Sequence, residues 1–448
     1  MSFKYQAQLI GNCEWLLDKG VTVPISVFAN QKLYDASEEE AWRQATWATT
    51  IPSVKKIVVT PDFHAGAGVP VGIVVATEDH IAPCAAGYDI SCGMISLKTK
   101  LTKEHIASKE IRRAWINAIT ERIALGVGKE QMARQYKVTG VKLKEILMHG
   151  ILALEQNKKI LERFEKTHHE VKDYAHYERA YDRGYYQLSS LGDGNHFLEL
   201  QQDSDDNVWI MVHTGSRGYG HQIATDFFNE GLAWHNANHV EQLAPKNKEL
   251  VNFPVESMIG KRYLNAMNQA ANFALANRYL LAKAISEATE EVFKDSPEIV
   301  YEISHNLVQF EDGLWVHRKG ATRAFPSGHE ALKGTMYEST GHPVLIPGSM
   351  GTSSAILYPQ DSKKSLYSVN HGCGRVMSRG QAKRTFDQGT LDKEMNDMDI
   401  LFNTRNVPMD ESLHCYKDID EVLETVESAN LAKVSVKLYP RAVIKGND

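Results

Sequence analysis

The sequence predicts an α+β protein: buried mixed β-sheets at the centre, helices outside, and a metal cleft at the strand ends. Three observations predict this class. Short apolar runs rich in β-branched residues recur along the chain, as in buried strands. Long stretches with apolar residues at three- and four-residue spacing lie between them, as in helices. Polar residues border many of the apolar runs, which is how rigid strands deliver side chains to a site.

The apolar runs predict five strands in the central sheets. They cover 55–60, Val71–Thr77, Asn207–His213, Pro343–Gly348 and Ser365–Val369. The first of these runs ends before a proline, which cannot donate a hydrogen bond to a neighbouring strand. We therefore expect rigid strands whose ends carry the polar residues discussed below.

Helices are predicted in three breaker-poor stretches, Lys103–Leu125, Val141–Lys166 and Ile259–Phe293. The charged segment Glu165–Arg183 indicates a solvated helix or connection. The chain has no internal repeat and no Pro/Gly/Ser-rich linker. We therefore predict a single catalytic domain over 1–448, with helical insertions near 101–185 and 255–295.

Composition limits the functional classes. The 448 residues, 43% hydrophobic and 24% charged, can bury a large core. The net charge of −6 argues against a uniformly basic protein, so any nucleic-acid contact needs a local basic surface. The sequence shows neither a signal-peptide pattern nor an apolar run of the ~20 residues that span a membrane. We expect a cytoplasmic protein with no membrane partner, whose five cysteines serve metal binding or chemistry rather than disulfides.

A candidate metal site starts in "GYDISCGM", where Asp89 and Cys92 stand three residues apart. In a turn, this spacing lets a carboxylate and a thiolate converge on one ion, whereas in a regular strand the two side chains diverge. A half-buried cysteine beside a turn aspartate explains the pair equally simply. The pair therefore needs further ligands before it indicates a metal.

Three histidines supply those further ligands: His196, His213 and His305. One lone histidine is more often a satisfied core residue, but with Asp89 and Cys92 they make five ligands, more than one tetrahedral site uses. A more specific interpretation than a single site is that two metal ions share the Cys92 sulfur. Mixed Asp, Cys and His ligation binds zinc more tightly than manganese. The doublet of His168 and His169 lies in a charged run, and we expect both to be solvated.

Glycine-rich segments are the second theme of the sequence. They are "HAGAGVPVG" (64–72), "HTGSRGYG" (213–220), "IPGSMGTSS" (346–354) and "HGCGR" (371–375). Each could be an ordinary turn, but glycine also lets backbone N–H groups approach a phosphate without a side chain in the way. The chain carries neither a Walker A pattern nor a Rossmann fingerprint, so a phosphate site of another kind is expected.

Ten ordered motifs resemble the RtcB-type RNA ligases from about Lys56 to Gly446. They are "PDFHAGAG", "GYDISCGM", "GNHFLE", "HTGSRG", "SHN", "RKGATRAF", "IPGSMG", "NHGCGRVMSR", "CYKDIDEV" and "VIKG". The resemblance implies GTP-dependent joining of an RNA 2′,3′-cyclic phosphate or 3′-phosphate end to a 5′-hydroxyl end, in RNA repair or tRNA splicing. It further implies two Mn²⁺ ions, a covalent histidine–GMP intermediate and an archease-type activating partner.

The resemblance also implies roles for individual residues. His371 would be the nucleophile that attacks GTP. Asp89, Cys92 and His196 would bind one manganese ion, and Cys92, His213 and His305 the other. The guanylate contacts would be Asn195, Glu199, Asn306, Pro347, Gly348, Ser349, Met350, Ser354, Gly372, Cys373, Gly374 and Lys445.

Contacts with RNA are predicted from charge and position. Asp62 or His64 could orient or deprotonate the 5′-hydroxyl, although a turn-capping aspartate and a packed histidine explain them equally well. Arg217 and Arg375 lie inside glycine-rich motifs, where a guanidinium can clamp phosphate. The other basic candidates are the Arg318, Lys319, Arg323 group and the Arg379, Lys383, Arg384 group beside Arg375.

Two other functions stay open from the sequence alone. A metal-dependent cyclic phosphodiesterase or RNA 3′-end guanylyl-capping enzyme would use the same cleft without sealing RNA. A non-catalytic RNA-binding or metal-binding relative is disfavoured because every proposed ligand and His371 is present. Accumulation of joined or circular RNA with GTP distinguishes a ligase from both.

Overall fold

The computed structural model describes residues 3–126, 136, 139–238, 249–360 and 362–446. The strands in these residues are β1 Gln8–Gly11, β2 Glu14–Leu17, β3 Ile25–Phe28, β4 Val54–His64, β5 Val71–Thr77, β6 His80–Ile81, β7 Gly93–Thr102, β8 Phe197–Gln202, β9 Asn207–Thr214, β10 Phe253–Pro254, β11 Glu298–Ser304, β12 Asn306–Glu311, β13 Leu314–Lys319, β14 Ala321–Arg323, β15 Val344–Ile346, β16 Ser354–Pro359, β17 Ser368–Asn370, β18 Leu401–Phe402 and β19 Ala432–Ile444. The α-helices are α1 Gln31–Ala36, α2 Glu39–Ala48, α3 Lys109–Arg122, α4 Gly140–His149, α5 Lys158–Leu161, α6 Glu178–Gln187, α7 Arg217–Ala237, α8 Met258–Phe293, α9 Arg379–Thr385, α10 Gln388–Asp397 and α11 Ile419–Ser428.

Two large sheets form the centre of the described structure. The first has the strand order β1-β2-β3-β4-β5-β13-β12, and the second has the order β11-β7-β9-β8-β19-β16-β15 with β18 beside β19. Both sheets are mixed, because β3 runs parallel to β4 and β18 parallel to β19 while their other pairs are antiparallel. A two-stranded ribbon of β14 and β17 leaves the first sheet at Gly320. The α+β class with buried mixed sheets is confirmed.

The predicted strands differ from the structure mainly at their ends. Strand β5 has the predicted bounds, and β9 is one residue longer than predicted. Strand β4 continues past Pro61 to His64, which the sequence did not predict. An irregular register between Val59 and His64 in its pairing with β5 accommodates the proline and carries Asp62 onto the strand.

The predicted helices differ in two places. The stretch Lys103–Leu125 divides into a 3-10 turn and α3. The stretch Val141–Lys166 is not one helix, because α4 ends at His149 and Gly150 takes a backbone φ of +58°. A turn of 3-10 helix and the short α5 follow. The insertion predicted near 101–185 includes residues 127–135, 137 and 138, which lie outside the described residues. That this segment is an insertion in a single domain over 1–448 stays a prediction.

Helix α8 is the longest helix of the described chain and packs against the second sheet. The Ser257 side chain caps it by accepting a hydrogen bond from Gly260 N, and Lys294 ends it in the left-handed conformation. Most of its middle is buried against strands β7 and β9, including the polar residues Asn277 and Arg278. Among the described residues, no helix is both long enough and apolar enough to cross a membrane.

Candidate active site

Strand register brings the five predicted metal ligands to one edge of the second sheet. Gly93, at the start of β7, pairs with Thr214 on β9 and with Ser304 on β11. Phe197, at the start of β8, pairs with His213. Cys92, His213, His305 and His196 each adjoin or occupy one of these paired positions. Antiparallel pairing therefore delivers residues far apart in the chain to one small region.

The ligand atoms of these side chains face one another. The Sγ of Cys92 lies 3.2 Å from Nε2 of His213 and 3.5 Å from Nε2 of His196. The Nε2 atoms of His213 and His305 are 3.2 Å apart. An oxygen of Asp89 lies 2.9 Å from His196 Nε2. The atoms form two groups around Cys92, one with Asp89 and His196 and one with His213 and His305.

Two of the three imidazoles place Nδ1 against a backbone carbonyl and turn Nε2 to the cluster, whereas His305 Nδ1 has no partner among the described residues. His213 Nδ1 donates to the Asn195 carbonyl at 3.0 Å, and His196 Nδ1 lies 3.1 Å from the Leu191 carbonyl. A backbone carbonyl on Nδ1 is the usual second partner of a metal-binding histidine. The Nε2 atoms of His213 and His305 share one hydrogen bond at 3.2 Å, and a metal ion binding there would replace its proton. The donor set therefore fits two transition-metal ions that share Cys92.

Burial sets the protonation of the cluster. It lowers the pKa of His213 and His305 well below the ordinary value, so both rings are neutral ligands near pH 7. Burial, followed by the charge of Asp89, raises the pKa of the Cys92 thiol. Burial opposes ionisation of Asp89 too, but the hydrogen bond and charge of His196 outweigh it and hold the Asp89 pKa below its usual range.

His371 faces this cluster from the β14–β17 ribbon. Asn370, the last residue of β17, pairs with Ala321, so His371 emerges beside Gly320. Gly320 has a φ of +65°, and a Cβ there would lie 2.9 Å from His371 Cε1. Only glycine leaves room for the imidazole at this turn. The ring centroids of His305 and His371 are 4.8 Å apart.

Asp62 holds His371 from the first sheet. Its Oδ2 lies 2.6 Å from His371 Nδ1, and its Oδ1 accepts a hydrogen bond from the Thr60 hydroxyl at 2.7 Å. The carboxyl is fully buried. Burial opposes its ionisation, but the charge and hydrogen bond of His371 outweigh burial and keep the Asp62 pKa below its usual value. Within the described part of the chain, His371 Nε2 makes no hydrogen bond.

The turn-capping interpretation of Asp62 is wrong, because Asp62 lies on strand β4, where its oxygens contact His371 and Thr60. Its role at the 5′-hydroxyl stays a prediction. His64, two residues on, lines the cavity described next, and its Nδ1 lies 3.0 Å from the Asp62 carbonyl. Burial lowers the pKa of His64 to about 4, so the ring is neutral. A role for His64 at the 5′-hydroxyl stays a prediction.

One cavity of about 270 Å³, here called the reaction cavity, joins the cluster to the predicted guanylate residues. Every guanylate residue predicted above lines it except Ser354. Ser354 is buried behind Glu199, because Gln201 Nε2 donates to the Ser354 hydroxyl at 3.0 Å and to Glu199 at 2.7 Å. Burial raises the pKa of Glu199 to about 7.

Comparison with known proteins identifies the family. The model for tRNA-splicing ligase RtcB matches residues 44–446. The chain belongs to the RtcB family. It is 34% identical to a tRNA-splicing ligase RtcB of Thermococcus kodakarensis, over 96% of each chain, and 32% identical to that of Pyrobaculum aerophilum, over 98% of each. It is also 34% identical to RNA-splicing ligase RtcB homolog 1 of Entamoeba dispar, over 90% of this chain and 81% of the relative. RtcB membership supports RNA ligase activity.

Sequence reasoning missed an acidic residue at the centre of the basic wall of this RtcB cavity. Glu411 is buried and lies 3.2 Å from Arg375 Nη1, 3.4 Å from Arg379 Nη2 and 3.4 Å from Lys445 Nζ. The Tyr416 hydroxyl donates to its other side. Glu411 lies outside the glycine-rich segments, and the nearby His414 does not line the reaction cavity, so no local pattern marked it.

A second cavity of about 510 Å³, here called the side cavity, opens on the other side of the cluster. Its basic members are Arg183, Arg217, His221 and Arg379, and Tyr186 adds an aromatic ring. Asp89 and Asn195 line both cavities. Arg217 is buried, with Nη1 2.9 Å from His196 Nδ1, so the predicted phosphate clamp lies directly behind a cluster residue.

Two predictions about charged surfaces are wrong in part. Arg318, Lys319 and Arg323 are buried, and Lys319 alone of the three lines the reaction cavity. Arg318 and Arg323 pair with Glu311, and Lys319 donates to two backbone carbonyls of the 64–72 glycine segment. The histidine doublet divides, since His168 is exposed as predicted, whereas His169 is buried.

Proposed function

We propose that this RtcB protein is a GTP- and Mn²⁺-dependent RNA ligase. It joins an RNA 2′,3′-cyclic phosphate or 3′-phosphate end to a 5′-hydroxyl end through a covalent histidine–GMP intermediate on His371. The observation that carries the proposal is the pairing of His371 Nδ1 with Asp62 at 2.6 Å, which leaves Nε2 without a partner among the described residues, on a ring that lines the reaction cavity beside His305.

The first step is guanylylation of His371. Asp62 accepts a hydrogen bond from the Nδ1–H, so the neutral ring keeps its lone pair on Nε2. That lone pair attacks the α-phosphorus of GTP, the P–N bond forms, the bond to the β-phosphate oxygen breaks and pyrophosphate leaves. The adduct ring then carries positive charge, which the Asp62 carboxylate offsets.

Two Mn²⁺ ions would be held by Asp89, Cys92 and His196, and by Cys92, His213 and His305. When bound, they would supply positive charge that neutralises phosphate oxygens at attack and departure. The chain's own contribution is to keep the three imidazoles neutral and fixed at Nδ1 or by burial.

Guanylate recognition falls to the rest of the reaction cavity. The Pro347–Met350 and Gly372–Gly374 segments line it with backbone groups that can approach phosphate closely. Glu199 and Lys445 offer opposite charges to the edge of guanine, whose ring presents both donors and an acceptor. Glu411 would hold Lys445 and Arg375 in place before the nucleotide arrives.

The later steps use the side cavity for RNA. A 2′,3′-cyclic phosphate end first takes up water and opens to a 3′-phosphate. An oxygen of this phosphate attacks the guanylate phosphorus while the P–N bond to His371 breaks. The 5′-hydroxyl oxygen then loses its proton and attacks the RNA phosphate while GMP leaves. The side cavity supports this role because Arg183, Arg217 and Arg379 surround an opening that shares Asp89 with the reaction cavity. Guanidinium groups bind phosphate in two-pronged geometry, and Tyr186 offers a ring for base stacking.

The decisive experiment treats purified protein with α-labelled GTP and Mn²⁺. We expect an acid-labile, alkali-stable label on the wild type and none on His371→Ala. The matched control is His414→Ala, which removes a partly exposed histidine outside both cavities. With RNA carrying a 2′,3′-cyclic phosphate and a 5′-hydroxyl, we expect joined or circular product. Label retained on His371→Ala would overturn the nucleophile, and capped RNA without joining would indicate the non-sealing alternative.

A further inference from the structure

Helix α8 carries two adjacent polar residues in its buried middle. Asn277 and Arg278 are both fully buried, among alanines, leucines and aromatic residues. A buried guanidinium loses its hydration, and an apolar side chain of similar volume would often be as stable or more stable. Packing alone therefore gives no reason for an arginine at this position.

The guanidinium of Arg278 contacts the backbone segments that carry three cluster residues. Its Nη1 donates to the Ser91 carbonyl at 2.7 Å and to the Thr214 carbonyl at 3.0 Å, and its Nη2 donates to the Ser304 hydroxyl at 2.9 Å. Ser91 precedes Cys92, Thr214 follows His213, and Ser304 precedes His305. One rigid planar group thus spans the three segments that meet at the cluster.

Glu302 is the charged partner of Arg278, and the pair is not arranged for maximum pairing. Arg278 Nε donates to Glu302 Oε1 at 2.6 Å, and Nη2 contacts the same oxygen. Within the described residues, Glu302 Oε2 has no hydrogen-bond partner. A fork-to-fork pair would use both carboxylate oxygens. Here the guanidinium turns its remaining N–H groups to the ligand segments instead.

The fit around Arg278 leaves little freedom. A Cβ on Gly93, the residue after Cys92, would lie 3.1 Å from Arg278 Cζ. Asn277 repeats the arrangement on the neighbouring segments: its amide donates to the Ser190 carbonyl at 3.1 Å and to the Gly215 carbonyl at 3.3 Å. The helix therefore ties together the backbone behind the cluster at two successive positions.

We propose that Arg278 is a positioning residue that sets the spacing of Cys92, His213 and His305, and thereby the affinity and geometry of the two-metal centre. This role rests on one part of the proposed function, namely that the cluster binds metal. Arg278 touches neither substrate nor metal. It acts through the Ser91, Thr214 and Ser304 backbone and hydroxyl groups, and lysine, with one ammonium group, cannot span all three.

The test compares Arg278→Lys with Arg112→Lys. Arg112 is the matched control, because it is also a buried arginine paired with a carboxylate and two carbonyls, but its partners are Asp399 and the Arg441 backbone. Co²⁺ is titrated into metal-free protein, and the absorption bands of the cobalt–thiolate centre report ligand geometry at each equivalent added. Guanylylation with Mn²⁺ is measured alongside, and circular dichroism checks the fold.

We expect Arg278→Lys to bind cobalt about 10–100-fold more weakly than wild type, with altered thiolate bands, as for loss of other groups that orient metal ligands. Arg112→Lys should match wild type in both. Wild-type affinity and bands in Arg278→Lys would overturn the positioning role, as would equal losses in the two variants. A wild-type protein that binds no cobalt would overturn the proposed metal site itself.

If Arg278→Lys does not fold, Ser304→Ala answers the same question. It removes one acceptor of Arg278 and leaves the Arg278–Glu302 pair intact. We expect a several-fold weaker second cobalt equivalent, with the first less affected, since Ser304 adjoins His305. Unchanged affinity at both equivalents would overturn the proposal.

Discussion

The two sides of the reaction cavity are built differently. The sheet wall, made of Asp89, Cys92, His213 and His305 with His196 behind them on the side-cavity face, stands on four neighbouring strands of one sheet and is backed by α8. The ribbon wall, made of His371 and the 372–374 loop, stands on a two-stranded ribbon and is held by Asp62 from the other sheet. The ligand groups of the first wall are fixed by register and burial, whereas the His371 ring is held by one side-chain hydrogen bond. We infer that the sheet wall governs metal binding and the ribbon wall governs phosphoryl chemistry.

The largest expected effect breaks the sheet wall. Cys92→Ala should lose both metal ions and all detectable guanylylation, because its sulfur belongs to both ligand groups. Asp89→Ala and His213→Ala, which each belong to one group, should lose chiefly one ion. Metal content after desalting from Mn²⁺ or Co²⁺ measures this. Two ions retained in Cys92→Ala would refute the shared sulfur.

The next effect isolates the ribbon wall. Asp62→Asn keeps the size of the side chain, but its amide can donate to His371 Nδ1 and so favour a proton on Nε2, which blocks attack. We expect guanylylation to slow by about 10²–10⁴-fold with metal content unchanged. Single-turnover labelling measures the rate. Thr60→Val removes the hydroxyl that contacts Asp62 Oδ1 and the Gly72 carbonyl but keeps the Asp62–His371 pair, so as the control it should change the rate far less. A loss of metal in Asp62→Asn would erase the distinction between the walls.

A third prediction separates affinity from activity on the sheet wall. One thiolate and three imidazoles favour zinc over manganese, yet zinc holds tetrahedral geometry tightly and leaves fewer positions for phosphate oxygens. We expect zinc to displace manganese and to reduce guanylylation of His371 by 10-fold or more, on the order of the affinity difference between the ions. Chelation followed by manganese should restore the label. Full activity of a zinc-loaded, manganese-free protein would contradict this.

The residues of the sheet wall could be predicted from the sequence better than those of the ribbon wall, because local sequence patterns mark them. β-Branched runs mark strands such as β5 and β9, and histidine or cysteine at their ends stands out. The structure brings all five predicted ligands together, while their binding of metal stays a prediction. Asp62 could not be placed, because Pro61 hid the continuation of β4 and the partner histidine lies 309 residues away.

Buried charge is the property that sequence patterns describe least well. Arg318 and Arg323 have the same local appearance whether they face RNA or a buried carboxylate, and their pairing with Glu311 decides which. Arg278 sits in a helix whose apolar periodicity is clear, but its Ser91 partner lies 187 residues away. Glu411 joins the site from a short 3-10 turn without any motif. Tertiary pairing of side chains, rather than local propensity, determines each of these positions.

The smallest expected effect tests a residue that crosses the division between the walls. Glu199 lies on β8 of the second sheet. We propose that its carboxylate accepts hydrogen bonds from the ring N–H and the amino group of guanine. Accepting both requires the ionised form of the carboxyl group. Burial raises its pKa to about 7, so the ionised fraction rises from about one tenth at pH 6 to about nine tenths at pH 8. GTP affinity should therefore strengthen about 9-fold over this range. Glu199→Gln should bind GTP more weakly and should lack the part of the pH dependence that comes from Glu199.

Because the GTP phosphates also titrate between pH 6 and pH 8, the measured quantity is the ratio of wild-type to variant GTP affinity at each pH, determined by equilibrium binding. A constant ratio would mean that Glu199 does not meet guanine as a titrating carboxylate, and nucleotide recognition would then belong to the ribbon wall and the loops beside it.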